Sequence, residues 1–261
     1  MASGPTLDPA ELEAFRAVAA AENLDPSDRW VGGYVDYEWV HLRRVLRAYG
    51  IDLAGKRAFE LGCNIGASSV VMAKLGAAVE AVDIDARFTR VARANVALHH
   101  VAEHVRVTHV DDTTALPLRS GSFDFVLANS VLEYVPAPQR GAVLAELHRI
   151  LRPGGLMLIC GTSNRLSPRE VHSGKWLVNY LPRGWFERGD SEPERGIAPW
   201  QLLATTRGGF SVVGQDRWLE ARRAIHGKPS WPMRALDMGA RLAGLAPGLL
   251  APNIELLLRK S

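Results

Sequence analysis

The chain is poor in cysteine and close to neutral in charge. Its 261 residues include two cysteines, Cys63 and Cys160, which lie far apart and outside any CxxC spacing. This usage excludes a disulfide scaffold and offers no zinc-ligand spacing, so a reduced, cytoplasmic protein is expected. The formal net charge of +3 comes without a localised basic stripe, so nucleic acid is not an expected partner.

Long apolar runs, repeats and low-complexity tracts are also absent. No apolar run reaches the ~18 residues that a membrane span requires. No basic segment followed by an apolar stretch marks a signal peptide near Met1. What the chain does have is 47% hydrophobic and 23% charged residues. That composition is typical of a folded domain with a sizeable core.

Strand and helix patterns alternate through the middle of the chain. Two helices are predicted ahead of the alternation, over 8–22 and 36–48. The predicted strands are then 57–61, 78–82, 105–110, 123–128 and 156–161, with helices at 67–75, 87–98 and 138–151. This order predicts a parallel sheet covered by helices on both faces.

The alternation of strand and helix patterns stops after Gly161 and resumes near the end of the chain. Residues 162–198 are rich in turn formers, whereas 199–207 has a helical pattern and 210–215 and 254–259 have strand patterns. A pair of terminal strands usually lies at one edge of such a sheet, with one of them antiparallel.

The strongest local motif joins the first predicted strand to the first helix. Residues 60–66 read ELGCNIG, so the glycines are spaced G-x-x-x-G with an acid two residues before the first. Glycine and asparagine tolerate the left-handed turn, and small residues let the backbone approach a ligand. A dinucleotide enzyme would instead have G-x-G-x-x-G around a pyrophosphate. A carboxylate opposes a pyrophosphate and suits a ligand with an ammonium and a sulfonium group, which disfavours NAD-dependent oxidoreduction.

This motif resembles motif I of the small-molecule type of class I S-adenosylmethionine (SAM) dependent methyltransferases. Asn64 stands where that family usually has its middle glycine. Further segments match the family in order over residues 55–161: VDID at 82–85, DDTTALP at 111–117, SFD at 122–124, NSVLEYV at 129–135 and LHRILRPGG at 147–155.

The resemblance implies an α/β, Rossmann-like fold. We expect a seven-stranded, mostly parallel sheet with helices on both faces, an antiparallel last strand, an N-terminal helical lid and an insertion after strand five. The expected boundaries are 1–50 for the lid and 51–261 for the SAM-binding domain, with an acceptor-binding insertion at about 162–198.

The resemblance also implies a set of cofactor contacts. Asp83 would take the ribose hydroxyls, Ile84 would pack on adenine, and Asp112, beside Thr113, would accept from the adenine amino group. Asp111 replaces Asp112 if the register slips by one. The remaining expected cofactor residues are Glu60, Gly62, Cys63, Asn64, Gly66 and Asn129, with Tyr34 and Tyr37 of the N-terminal segment closing over SAM.

Catalytic side chains are harder to assign from the sequence. Methyl transfer mainly requires an in-line approach of acceptor and methyl group, and a general base only when the acceptor loses a proton early. His172, in the segment after strand five, is the candidate base, and Glu133 is a second candidate. The competing interpretations are a surface histidine and a solvent-facing helix acid. No metal-ligand spacing is present.

The predicted reaction is methyl transfer to O, N or C of a small organic acceptor such as a natural product, sugar or lipid precursor. The alternatives are a protein or nucleic-acid methyltransferase, disfavoured because 129–132 reads NSVL rather than NPPY, and a non-catalytic SAM-fold binding module. Residues 217–248 mix basic and apolar side chains, typical of a packed helix, an acceptor cover or a membrane-surface patch. Monomer and homodimer both stay open.

Overall fold

The computed structural model of the chain describes residues 7–181, 195–206 and 208–261. Its seven-stranded sheet has the order β3-β2-β1-β4-β5-β7-β6. The strands are β1 (Arg57–Leu61), β2 (Ala78–Asp83), β3 (Val105–His109), β4 (Phe123–Asn129), β5 (Leu151–Ser163), β6 (Phe210–Val213) and β7 (Asn253–Lys260). Strands β1 to β5 pair in parallel, and β7 is antiparallel to both neighbours. The predicted fold class is confirmed.

Helices cover both faces of this sheet. They are α1 (Pro9–Ala21), α2 (Tyr34–Val40), α3 (Leu42–Ala48), α4 (Ala67–Lys74), α5 (Ala86–Leu98), α6 (Ala137–Ile150), α7 (Pro199–Thr206), α8 (Trp218–His226), α9 (Trp231–Leu242) and α10 (Pro247–Leu250). Successive side chains of a strand point to opposite faces. In β4, Phe125 and Leu127 therefore join the core under α3, α4 and α8, while Val126 and Ala128 join the core under α6, α7 and α10.

The N-terminal helices pack against the same side as the motif turn. Helix α1 begins after Asp8, whose carboxylate caps the backbone N–H groups of Ala10 and Glu11. Its buried Phe15 and Ala19 form a small core with residues of α5 and of the turn before α4. Helix α2 contacts α4, which brings residues 34–40 to the carboxyl edge of the sheet.

Three elements differ from the predicted boundaries by more than one residue. The helix predicted at 36–48 is divided at His41, where ψ is −70° instead of the helical value of about −42°, so the chain bends between α2 and α3. Strand β5 begins earlier than predicted because Leu151 already pairs with Phe123. The next pair is Phe125 with Leu156, so the PGG segment lies in a register shift between the two pairs. Strand β6 ends at Val213 because Gly214 turns the chain with φ of 65°.

The basic and apolar segment 217–248 folds mainly into α8, α9 and α10. Helix α9 buries Ala240 and exposes Trp231, Met238 and Leu242. Membrane-surface contact by this helix stays a prediction, and none of the described helices has the length and apolarity to cross a bilayer. Residues 182–194 of the predicted insertion lie outside the described residues, and the predicted lid and domain boundaries stay predictions.

Candidate active site

The turn after β1 has a left-handed backbone and packs tightly against the loop after β4. Gly62, Asn64 and Gly66 all have left-handed backbone, with φ of 67°, 49° and 78°. A Cβ on Gly62 would lie 2.3 Å from Cγ2 of Val131, so any side chain there would clash with the loop after β4. Cys63 is a buried free thiol in the same turn. Asn64 thus occupies the left-handed position in place of a glycine, as the sequence predicted.

Asp83 closes this turn from the end of β2. Its two carboxylate oxygens accept separate backbone hydrogen bonds, Oδ2 from the N–H of Asn64 at 2.8 Å and Oδ1 from the N–H of Asp85 at 2.9 Å. Burial raises the pKa of Asp83, and these hydrogen bonds oppose the rise. The carboxylate is therefore held rigidly at the strand end. The next side chain, Ile84, is 65% exposed and offers an apolar surface beside it.

Glu60 lies at the centre of the sheet edge and is 2% exposed. The hydroxyl of Ser69 in α4 donates a hydrogen bond to its Oε2. Burial raises the pKa of Glu60 to about 8, and the carboxylate of Glu38 adds to that rise. A buried acid of this kind is a frequent feature of functional sites.

Asn129, at the end of β4, connects Glu60 to a residue that the sequence analysis missed. Its Nδ2 donates to Oε1 of Glu38 at 3.0 Å and to Oγ of Ser68 at 3.1 Å. Glu38, in α2, is as buried as Glu60. The sequence feature that could have indicated its burial is its position between Tyr37 and Trp39 in a predicted helix, because a side chain between two aromatic residues can face the core.

The two tyrosines predicted to close over SAM belong to an aromatic cluster with Trp30. The ring of Trp30 lies 5.4 Å from that of Tyr34 and 5.1 Å from that of Tyr37, between centroids. Burial raises the pKa of both tyrosines, and Glu38 adds to the effect. Tyr34 therefore lies beside the carboxylates, while Tyr37 also stacks on His41.

Asp112 lies away from this buried group, on an exposed loop after β3. Its carboxylate accepts from the N–H and the hydroxyl of Thr114, each at 2.7 Å from Oδ1. These bonds lower the pKa of Asp112. Thr113 is half-buried beside it, and Asp111 is exposed. An adenine contact by any of these residues stays a prediction.

The two candidate bases are brought together, although they are far apart in sequence. Nε2 of His172 lies 2.7 Å from Oε1 of Glu133. The Glu133 side chain is 3% exposed and that of His172 is 24% exposed. The backbone N–H of Ser163 also donates to Oε1 of Glu133, at 3.1 Å. Glu133 is therefore not a solvent-facing helix acid but a buried partner of the histidine, in a turn ahead of α6.

A second carboxylate fixes the loop that carries His172. Oε2 of Glu170 accepts the backbone N–H of His172 at 3.0 Å and that of Ser173 at 2.5 Å, while its Oε1 accepts the Ser163 hydroxyl at 2.8 Å. Glu170, His172 and Ser163 line a cleft together with Glu133, Tyr134 and Arg195. The histidine is thus positioned by two buried or half-buried acids at one wall of a surface cleft.

The two groups of residues share the carboxyl edge of the sheet. Asn129 and Glu133 flank the loop after β4, and Ser163 ends β5. When the Nε2–H of a neutral histidine donates to a carboxylate, Nδ1 carries the lone pair that can accept a proton. The arrangement therefore combines a rigid, acidic ligand pocket with a histidine suited to accept a proton. Among the described residues, no group of three metal-ligating side chains is present.

Comparison with known proteins identifies the family. Residues 59–159 match the methyltransferase domain model Methyltransf_11. A relative named ubiquinone biosynthesis O-methyltransferase, from Xanthomonas oryzae pv. oryzae, is 35% identical over 73% of this chain and 77% of its own length. The chain therefore belongs to the class I SAM-dependent methyltransferases, and the prediction of a SAM-dependent methyltransferase is confirmed.

Solved structures support the same fold. A SAM-dependent methyltransferase from Mesorhizobium loti superposes with a TM-score of 0.54, at 19% identity, over 82% of this chain and 95% of that one. The [4+2]-cyclase SpnF superposes with a TM-score of 0.56, at 18% identity, over 99% of each chain. At these identities the likeness concerns the fold alone.

Proposed function

We propose that this enzyme methylates a hydroxyl oxygen of a small organic acceptor, with SAM as the methyl donor and His172 as the general base. The observation that carries the proposal is the contact between His172 and Glu133 in the cleft at the sheet edge. A base of this kind is useful for a hydroxyl, which must lose its proton, and dispensable for a neutral amine. The name of the Xanthomonas relative, an O-methyltransferase, supports the same acceptor atom.

The residues around the turn after β1 fit SAM chemically. The left-handed backbone of Gly62 and Gly66 shapes this turn, and exposed Ile84 offers an apolar face to an adenine. The rigid carboxylate of Asp83 suits the ribose hydroxyls. Glu60 provides the negative charge that an ammonium group requires. Cys63 and Asn64 belong to the same turn. Asn129, Tyr34 and Tyr37 are proposed as further SAM contacts, with Asp112 and Thr113 at the adenine end.

Bound SAM supplies an electrophilic methyl group on a positively charged sulfur. The chain has to hold the acceptor oxygen in line with that methyl group at about 3–3.5 Å and to exclude water. Nδ1 of His172 accepts the hydroxyl proton as the oxygen–carbon bond forms and the carbon–sulfur bond breaks. The Nε2–H donates to Glu133, which stabilises the imidazolium ion. The products are the methyl ether, S-adenosylhomocysteine and a protonated histidine that returns its proton to solvent.

The cleft favours a planar acceptor with an acidic hydroxyl. Tyr134 is 54% exposed, and its ring centroid lies 5.9 Å from that of His172, so an aromatic acceptor would stack beside the base. Two buried, unpaired thiols support the proposed cytoplasmic location. A small-molecule partner is proposed, and nucleic acid is not.

The proposal is tested in two steps. Calorimetric titration with SAM and with S-adenosylhomocysteine should give micromolar binding of both. Methyl transfer from labelled SAM should then be measured for matched acceptors, phenols and catechols against anilines of the same size. Transfer to phenols with little transfer to anilines supports the proposal. Equal transfer to both, or transfer to anilines alone, contradicts the assigned acceptor atom.

A further inference from the structure

Glu38 is a buried acid with one oxygen that lacks a partner. It reaches the sheet edge from α2 and is 2% exposed. Its Oε1 accepts from Nδ2 of Asn129 at 3.0 Å, whereas its Oε2 is buried with no hydrogen bond of 3.5 Å or less in the described part of the chain. The Tyr34 hydroxyl and the Leu42 backbone also lower the pKa of this carboxyl, by less than Asn129 does. An isolated buried carboxylate oxygen is costly unless something binds it.

A second buried carboxylate lies close to Glu38. The two acids are joined through side chains, because Asn129 donates to both Glu38 and Ser68, and the Ser68 side chain in turn hydrogen-bonds Glu60. Within residues 7–181, 195–206 and 208–261, neither Glu38 nor Glu60 forms an ion pair. The pocket therefore holds two acids without a resident cation to balance them.

We propose that Glu38 is a cofactor-binding residue, and that Glu38 and Glu60 together hold the ammonium group of the methionine part of SAM. The proposal rests on the proposed use of SAM. An ammonium group has three N–H donors and no acceptor, which matches the unpartnered Oε2 of Glu38 beside the carboxylate of Glu60. A divalent metal ion fits less well, because the described residues place no third ligating side chain beside the two acids.

The protonation of this pair supports the same conclusion. Burial raises the pKa of Glu38 to about 7 and that of Glu60 to about 8. The other titratable groups that act on the pair are Asp83, whose charge raises the pKa of Glu60, and Tyr34, whose hydroxyl lowers the pKa of Glu38. The pair in turn raises the pKa of Cys160, and Glu38 raises that of Tyr37. At neutral pH the acids hold part of a proton each, and an arriving ammonium group favours their ionised forms. Ligand binding should therefore release protons to the buffer.

The test compares two ligands that differ in the amino-acid part. S-adenosylhomocysteine carries the ammonium group, and 5′-methylthioadenosine lacks it. Glu38→Gln should weaken S-adenosylhomocysteine binding about tenfold to a hundredfold, as for loss of a charged hydrogen bond. It should leave 5′-methylthioadenosine binding within about twofold. Asp36→Asn, which removes an exposed acid from the same helix, is the matched control and should change neither affinity.

Proton release gives a readout independent of affinity. Titrations of S-adenosylhomocysteine at pH 7 in two buffers of different ionisation enthalpy should show release by the wild type and less release by Glu38→Gln. Equal weakening of both ligands, unchanged affinity for S-adenosylhomocysteine, or unchanged proton release would each overturn the role of Glu38. Failure of the folded wild type to bind S-adenosylhomocysteine at all would instead overturn the proposed function.

Discussion

The cofactor pocket and the acceptor cleft share one edge of the sheet but are constructed differently. The pocket uses residues at the ends of β1, β2 and β4, which are fixed by strand pairing and by backbone hydrogen bonds to Asp83. The cleft uses loops after β4 and β5, joined by a contact between residues 39 apart in sequence. The pocket is therefore fixed by the sheet itself, whereas the cleft depends on contacts between two loops.

The largest expected effect comes from removing the proposed base, which should impair catalysis in the cleft and leave the cofactor pocket intact. His172→Ala should lower kcat about 10²–10⁴-fold, because general base catalysis typically contributes that much. Affinity for S-adenosylhomocysteine should stay within about twofold of the wild type, since the cofactor pocket is untouched. Steady-state kinetics and calorimetry measure the two quantities. His104→Ala, at an exposed position, is the control, and a loss of similar size there would contradict the assignment.

A smaller effect is expected when the partner of the base is neutralised. Glu133→Gln keeps the shape of the side chain but removes the charge that stabilises the imidazolium ion. We expect kcat to fall about 10–100-fold, less than for loss of the base itself, with KM for the acceptor changed less than kcat. A change in KM alone would indicate that Glu133 only shapes the cleft.

A variant at the end of β2 should show the opposite pattern, with weaker cofactor binding and nearly unchanged catalysis. Asp83→Ala should weaken SAM binding by about 1–3 kcal/mol, as for loss of charge-assisted hydrogen bonds. With saturating SAM, kcat should be nearly unchanged, because the acceptor cleft is intact. Calorimetry on a sample whose folding has been checked by circular dichroism measures the effect, and unchanged affinity in a folded variant would remove Asp83 from the pocket.

The smallest expected effect concerns stability without ligand. The pKa of Glu38 rises from an ordinary 4.5 to about 7 on folding, so the folded state binds the proton more tightly than the unfolded state. The cost of ionising Glu38 is therefore absent below pH 4.5 and grows as pH rises toward 7. Between pH 4.5 and about pH 6, wild type should lose about 1–2 kcal/mol relative to Glu38→Gln.

Urea unfolding of the two proteins at a series of pH values measures this difference. Comparing the variants cancels the opposite contribution of His41, whose pKa burial lowers to about 4. A difference that does not vary with pH would mean that Glu38 is not desolvated in the folded protein. Saturating S-adenosylhomocysteine should remove the penalty from the wild type, which connects this measurement to the proposed ammonium site.

The sequence was sufficient for the sheet because the strands are buried on both faces and their order follows from right-handed crossovers. It was also sufficient for the turn around Gly62, because the left-handed backbone restricts the residues that fit. The bend at His41 was missed, since the apolar periodicity continues through it. Such a bend depends on packing against α4 and α8, which a helical pattern does not record.

The site was predicted in part, for a related reason. His172 and Glu133 were each selected as candidates, but their contact depends on two loops that meet only in the folded chain. Glu38 was missed because an acid in a helix is normally solvated. Its burial follows from α2 packing over the end of β4, where Asn129 provides a partner. Long-range packing thus decided which of several ordinary residues became part of the site.

The position of β7 has a consequence for the order in which the chain can be assembled. β7 lies between β5 and β6, so residues 210–213 have no sheet neighbour until residues 253–260 have been synthesised and inserted. Until then β5 forms an open edge, and its unpaired N–H and C=O groups can pair with another chain. The central strands can form during synthesis, but the edge of β5 stays open to aggregation until β7 pairs with it.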